Sequence, residues 1–418
     1  MDKYYNYKNV FYKYKYNHDN NDDDNFTSSH ILSMQTCEYN IVDYDSIFDI
    51  NENSKNNIIV LDNFYEDPYK VRNFILSQDI NITSEFPVYR SKSFTCENIK
   101  SKLEDIIGEK ILDFFIIDDN STNYNRNFFF NTEKDNSRIH PDFQYDWVCI
   151  VYLIPDAPYD SGLKLYKQDC IHNLLTYNII DEFGNVFNRL LIFESKQFHI
   201  LNKYFEEDKY HARLRQTFFF NTNKKDRIFI INQNINQNIK LDIIIVNDFY
   251  KHPEKVREFA IQCNFETVGN FPGLRTKSFA TSKIKEKFEK IIGKKIIDFP
   301  QGRIYDYNGC FQYTLSNNKS WIHVDNYNNW AGVLYLTPDA PLNSGTKFYE
   351  FNDKSITDLN EKNKYSQDFS KWTLVDRVGN VFNRLLLFNS KRFHISDEYF
   401  GNNIYNSRLF QVFFFTSE

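Results

Sequence analysis

The chain has 418 residues and a formal net charge of −6. The length suits two or three domains of ~100–200 residues each, and the charge argues against non-specific nucleic-acid binding as the main role, a local basic groove aside. Aromatics make up 18% of the chain, with 41 Phe and 29 Tyr, and such bulk favours strands and packed sheets. No apolar run reaches the ~18–20 residues a membrane-spanning helix needs, and the first residues, Met-Asp-Lys-Tyr-Tyr-Asn, lack an apolar signal region. The six cysteines (Cys37, Cys96, Cys149, Cys170, Cys263, Cys310) form no CxxC pair and no regular framework. Reduced thiols in a cytoplasmic protein are therefore expected.

Residues 1–45 are polar, with an acidic, Asn-rich run at 17–25. They are expected to be a largely disordered tail with one short element near 31–34. An internal repeat follows and sets the architecture. Ile47-Phe48-Asp49-Ile50-Asn51 matches Ile228-Phe229-Ile230-Ile231-Asn232, and Pro68-x-x-Val71-Arg72 matches Pro253-x-x-Val256-Arg257. Phe86-Pro87 and Arg90 match Phe271-Pro272 and Arg275, and Tyr152-Leu153-x-Pro155-Asp156-Ala157-Pro158 matches Tyr335-Leu336-x-Pro338-Asp339-Ala340-Pro341. Gly184-Asn-Val-Phe-Asn-Arg-Leu-Leu191 recurs letter for letter as Gly379-Asn-Val-Phe-Asn-Arg-Leu-Leu386. The expected domains are 46–222 and 227–418, joined by a short polar linker at 223–226.

Each repeat begins with an apolar strand (58–61; 243–246). A helix opens on Pro68 or Pro253, in the first turn where Pro is tolerated. Its apolar stripe is Val71, Phe74, Ile75 in one repeat and Val256, Phe259, Ala260 in the other. A second helix runs over 97–107 and 282–292 and stops at Gly108 or Gly293. Strand signals then dominate, at 128–131, 147–153, 163–166, 189–193 and 214–220 with counterparts in the second repeat. Helices followed by many short strands predict an α+β chain: two tandem double-stranded β-helix (jelly-roll, cupin-like) domains, each with N-terminal helices packed on its sheet.

Trp321-Ile-His323-Val-Asp325 places His323 and Asp325 two residues apart, on one face if the segment is a strand. His394 follows within Phe393-His394, and Arg408 lies 14 positions beyond it. The first repeat has His140, Asp142, then His199, with Arg213 again 14 positions on. Two imidazoles and a carboxylate on one face of a metal make the facial triad of non-haem Fe(II) oxygenases. A lone His-x-Asp is weak evidence; the whole set occurring twice is not. The other five histidines (His18, His30, His172, His211, His252) have no counterparts and read as surface residues. Arg90/Arg275 and Arg189/Arg384 read as structural ion pairs or strand-end hydrogen bonds ahead of the alternative, substrate contacts. Trp147 and Trp330 read as core or pocket wall.

The pattern HxD…H…R, with Asp248-Phe249-Tyr250, Phe271-Pro272-Gly273-Leu274-Arg275, Ser344-Gly345-Thr346-Lys347-Phe348-Tyr349 and Asn383-Arg384-Leu385, resembles the 2-oxoglutarate/Fe(II)-dependent oxygenases, in a branch near the prolyl 4-hydroxylases. The resemblance covers nearly all of both repeats. It implies Fe(II) held by His323, Asp325 and His394, and by His140, Asp142 and His199. It implies 2-oxoglutarate as cosubstrate, its far carboxylate on Arg408 (Arg213 in the first repeat), an always-charged planar fork suited to a carboxylate. Tyr313 is expected to add a hydroxyl to the cosubstrate. The first repeat has Phe130 at that place, Leu163 for Thr346 and Arg215 for Phe410, so the second site is expected to be the better formed. The implied activity is hydroxylation of a C–H bond on a protein or peptide side chain or on a small molecule. The acidic-polar stretch 351–371 is expected to border the second site. Two rival readings stay open here: an inert jelly-roll binding module with a vestigial metal site, and a cupin-like metalloenzyme that uses no 2-oxoglutarate.

Overall fold

The computed structural model describes residues 3–7, 10–14, 44–78, 81–82, 89–94, 97–112, 114, 126–131, 138–171, 174–203, 205–206, 208, 210–223, 239–266, 271–301 and 307–418. Expectations for 31–34, for the linker beyond Asn223, for Cys37, Cys96, Phe86 and Pro87, for His18, His30 and His172, and for the match at 228–232 lie outside these residues. Lys3–Tyr7 and Val10–Tyr14 pair as an antiparallel ribbon. This stretch was expected to lack structure, but its closely spaced aromatics favour strands.

The strands form two facing antiparallel sheets. At the middle of the larger sheet, Ile243–Val246 pairs with Asn56–Leu61. Outward from Ile243–Val246 come Leu385–Asn389, Trp330–Tyr335, Arg408–Ser417, Cys310–Thr314 and Leu274–Ser278. Outward from Asn56–Leu61 come Leu190–Glu194, Trp147–Tyr152, Arg213–Phe220, Asn127–Asn131 and Tyr89–Ser93. Each of these strands on one side has its sequence match at the same rank on the other; Asn81–Ile82, beyond Tyr89–Ser93, and Ile296–Asp298, beside Arg408–Ser417, complete the sheet. The smaller sheet has the same symmetry: Phe198–Leu201, Leu163–Ile171 and Leu174–Phe183 meet Trp372–Val378, Thr346–Phe351 and Phe393–Ser396 through the pairing of Leu174–Phe183 with Trp372–Val378. The repeats thus share both sheets edge to edge, which removes four open strand edges from solvent, two at each joint.

Helices cover the outer face of the larger sheet. Pro68–Leu76 and Pro253–Gln262 begin at their prolines. Glu97–Ile107 and Ser282–Ile292 end at Gly108 and Gly293, whose φ of 70° and 68° suit residues without a Cβ. Ser282–Ile292 buries Ile284, Phe288, Ile291 and Ile292, each contributing roughly 1.5–3 kcal/mol. In Pro68–Leu76 the buried residues are Ile75 and Leu76, and Phe74 is exposed. Phe74 packs edge-on to Phe94 instead of entering the core. A second apolar layer, including Val60, Tyr152, Leu165, Ile245, Tyr335 and Phe348, fills the space between the sheets. No described helix is long and apolar enough to cross a membrane.

Two features tie the halves together. Phe48, from the start of the first repeat, is buried against Phe259, Phe279 and Phe311 of the second. The identical Asn-Arg pairs lie at the junction. Arg189 bonds Asp62 and, at 2.7 Å, Asp376 of the other repeat, while Arg384 bonds Asn247 and, at 2.8 Å, Asp181 of the other repeat. Asp376 and Asp181 also accept from the backbone N–H of Gly184 and Gly379. Asn188 and Asn383 take positive φ (64° and 63°), and their amides bond the backbone of Tyr65 and Tyr250. The two copies of the run thus make equivalent bonds, the arginines across the junction and the asparagines to their own repeat's backbone.

Candidate metal centres

Two groups, His140/Asp142/His199 and His323/Asp325/His394, each bring one ligand atom per residue within 4.8 Å of the other two. The 321–325 segment is not a strand as expected. Instead His323 forms an isolated antiparallel bridge with His394, through N–H···O bonds of 3.0 and 2.9 Å. His140 and His199 do the same at 3.1 and 3.0 Å. A hydrogen-bonded pair of opposed residues puts both side chains on one side, and the imidazole centroids lie 4.4 Å apart in the second site and 4.5 Å in the first. The carboxylates are set by Asp325 N–H donating to Ser390 O (2.9 Å) and Asp142 N–H donating to Ser195 O (2.7 Å). Asp325 Oδ2 then lies 3.4 Å from His394 Nε2, and Asp142 Oδ2 lies 3.5 Å from His199 Nε2.

All four imidazoles share one orientation. Nδ1 of His323, His394, His140 and His199 lies 2.8–2.9 Å from the carbonyl oxygen two residues earlier. A carbonyl only accepts, so Nδ1 carries the proton and Nε2 presents a lone pair, the tautomer a metal ligand needs. Burial, with the neighbouring imidazole adding to it, pulls His394 and His199 down to about 4. Both are therefore neutral near pH 7.

The second triad opens on a cavity of about 430 Å³ whose other end is Arg408. The two-residue alternation of Arg408–Ser417 turns Arg408, Phe410, Val412 and Phe414 into it. Arg408 is 1% exposed. Its Nε donates to Ser344 O (2.7 Å) and its Nη2 to Gly345 O (3.0 Å). Nη1 has no hydrogen-bond partner among the described residues. Directly opposite on the next strand, the buried Thr314 hydroxyl is also without one. Beside them the Tyr335 and Thr346 hydroxyls bond each other at 2.8 Å. An orphaned donor on a fixed cation at the cavity wall, with the Thr314 hydroxyl opposite it on the next strand, fits the far carboxylate of a keto diacid. The triad at the other end fits a divalent metal with N and O ligands.

Tyr313 does not line this cavity. Its neighbour Gln312 does, and the Tyr313 ring packs on Phe265 on the helix-covered face. Strand register places Tyr313 opposite Leu409 and Gln312 opposite Phe410, so the expected residue is one position out of phase. The hydroxyl at the Arg408 end is Tyr335, whose signal in sequence was its match to Tyr152. The stretch 351–371 is not among the cavity's lining residues either. It supports the metal segment from behind: Ser366 O accepts from Ile322 N–H, and Ile322 packs with Phe351 and Trp372. Trp147 and Trp330 are core, and Trp321, which sequence reasoning gave no role, is at the cavity wall. His211 and His252 lie near Asp208 and Glu254 towards the surface.

The first site keeps its ligands but differs at the inner end. The Nη2 of Arg213 donates to the carbonyls of Ser161, Asn202 and Lys203. Opposite it, where the second site has Thr314, stands Asn131, which accepts from Arg215.

No protein-family model matches the sequence, and no characterised protein matches it by sequence. Among solved structures, a prolyl hydroxylase from Trichoplax adhaerens in complex with a hypoxia inducible factor oxygen degradation domain peptide aligns at 15% identity with a TM-score of 0.27, over 41% of this chain and 86% of that one. A prolyl-4-hydroxylase from Pseudomonas putida aligns at 11% identity and a TM-score of 0.25, over 40% of this chain and 93% of that one. These likenesses are too low to carry an argument, and the functional case rests on the chain's own residues.

Proposed function

We propose that the chain is an Fe(II)- and 2-oxoglutarate-dependent oxygenase, built as two tandem jelly-roll domains and acting through His323, Asp325, His394 and Arg408. The single observation in its favour is the pairing, in one cavity, of a triad whose histidines both present Nε2 with a buried guanidinium whose Nη1 is unsatisfied. Ferrous iron held there would activate dioxygen, the oxidant, one of whose atoms would end in succinate as the keto acid loses CO2 and the other in the substrate's new C–OH. The chain's share is positioning. The Trp321 and Arg392 carbonyls lock both imidazole tautomers. Asp325 supplies the anionic ligand. Arg408 and the Thr314 hydroxyl hold the far carboxylate, fixing the keto acid's reach towards the triad. Ala331, Val333, Phe388, Phe410 and Val412 wall the space between and keep water out.

Turnover is assigned to the second site, because its triad and Arg408 line one cavity, whereas at the first site Asn131, opposite Arg213, is engaged by Arg215. The test is 2-oxoglutarate-dependent succinate release, with and without pools of peptides and metabolites, on the wild type and on His323→Ala and His140→Ala. Succinate release lost in His323→Ala and kept in His140→Ala is expected. Release that survives His323→Ala overturns the assignment.

A further inference from the structure

We propose that Arg275 and the aromatic wall around it form the substrate subsite of the second site, and that the substrate carries a carboxylate on a planar or apolar body. The proposal deepens the oxygenase reading and rests on it for what fills the rest of the cavity.

Arg275 follows a tight turn. Gly273 has a φ of +80°, and a Cβ there would lie 2.0 Å from Tyr313 O, so only glycine lets Phe271 and Pro272 fold back over the strand. Arg275 stands directly across from Gln312. Its Nε donates to Gln312 Oε1 (2.7 Å), and Gln312 Nε2 donates to Pro272 O (2.6 Å). The guanidinium stacks 3.9 Å from the Phe271 ring centroid and 5.0 Å from that of Tyr307. Its plane is therefore fixed before any ligand arrives. Its two terminal amino groups have no hydrogen-bond partner among the described residues, and no described carboxylate lies within 4 Å of it. A planar cation held this way is a preformed fork for a carboxylate.

Charge accounting points the same way. A divalent metal, Asp325, a keto diacid and Arg408 cancel one another. Arg275 lines the same cavity and remains the one uncompensated charge among the described side chains lining it. A substrate anion neutralises it; a neutral substrate leaves a partly desolvated cation unpaired, which is costly. Trp321 and the fully exposed Tyr327 stand at the same wall and offer faces for an apolar or planar body. The first repeat keeps Arg90 at the matching place, opposite Phe129. Where the second repeat has Trp321 and Tyr327, however, it has Arg138 and Gln144, so the combined anion-and-aromatic subsite belongs to the second site alone.

The test is a 19F NMR titration of the full chain with 4-fluorobenzoate and the neutral isostere 4-fluorobenzamide, with and without Zn(II) and saturating 2-oxoglutarate. The wild type should bind the benzoate at least tenfold more tightly than the benzamide. Arg275→Gln should erase that preference. Arg275→Lys, which keeps the charge without the fork and guards against misfolding of the Gln variant, should lower it several-fold. Equal binding of the two probes, or a preference that survives Arg275→Gln, would overturn the proposal. If zinc and 2-oxoglutarate fail to bind while the Arg275-dependent preference persists, the oxygenase reading falls and the anion subsite stands.

Discussion

Replacing Arg408 with Met should weaken 2-oxoglutarate binding about a hundredfold while leaving metal affinity unchanged. The guanidinium is buried, and two of its donors already hold Ser344 O and Gly345 O. Its remaining contribution to the cosubstrate is one charge-assisted hydrogen bond from Nη1 plus the attraction of opposite charges. A hydrogen bond to a charged group contributes about 1.5–3 kcal/mol, and truncating one partner of a buried charge pair costs about 2–5 kcal/mol. A loss of about 3 kcal/mol corresponds to roughly two orders of magnitude in Kd. The substitution also strands two carbonyls at about 1–3 kcal/mol each, so a thermal melt must first establish that the variant is folded. Calorimetric titration with 2-oxoglutarate in the presence of Zn(II) gives the affinity. Arg408→Lys, with charge but no fork, should fall between wild type and Met. A folded Arg408→Met protein that binds 2-oxoglutarate as tightly as wild type would refute the assignment, as would an equal loss in Arg213→Met.

Three further outcomes follow from the packing. Asp376→Asn removes the fully buried partner of Arg189 at the junction and should cost about 3–5 kcal/mol in urea unfolding, because an uncompensated charge is left inside. Burial alone would raise the Asp62 carboxyl, but Arg189 and then Arg392 bring it down to about 2, against about 3.9 in an unfolded chain. Its stabilisation, on the order of 2 kcal/mol, is present above about pH 4 and lost as the pH falls towards 2; Asp62→Asn should flatten that part of the acid unfolding curve. Gly273→Ala forces a Cβ against Tyr313 O and should cost on the order of 1–3 kcal/mol. It should also weaken 4-fluorobenzoate binding, because the Phe271 wall is displaced.

What could be read from sequence was whatever carried a local signal or occurred twice. The helices at 97–107 and 282–292 were legible to the residue because an apolar period of 3.6 runs into a glycine that can turn left-handed. The two triads were legible because the same ligand types recur at matched places. Tyr313 failed for the opposite reason. Side chains alternate every residue along a strand, so an error of one in register moves a residue from the cavity to the far face. The strand Leu174–Phe183 was missed because Asn178, Asp181 and Glu182 dilute its apolar pattern. Asp181 is in fact buried, accepting from Arg384 and Gly379 across the junction. The insertion of Phe48 among the aromatics of the second repeat, and the sharing of both sheets, depend on contacts distant in sequence that no local pattern announces. For Arg275 the sequence favoured a structural role over a substrate contact; the aromatic neighbours that suit it to a ligand, Phe271 and Tyr307, lie far apart in sequence.

The most direct test is anaerobic addition of Fe(II) and then 2-oxoglutarate, followed in the visible spectrum. The account predicts a metal-to-ligand charge-transfer band that is lost in His323→Ala and in Asp325→Ala and kept in His140→Ala. No band in the wild-type protein, or a band undiminished by His323→Ala, would contradict it.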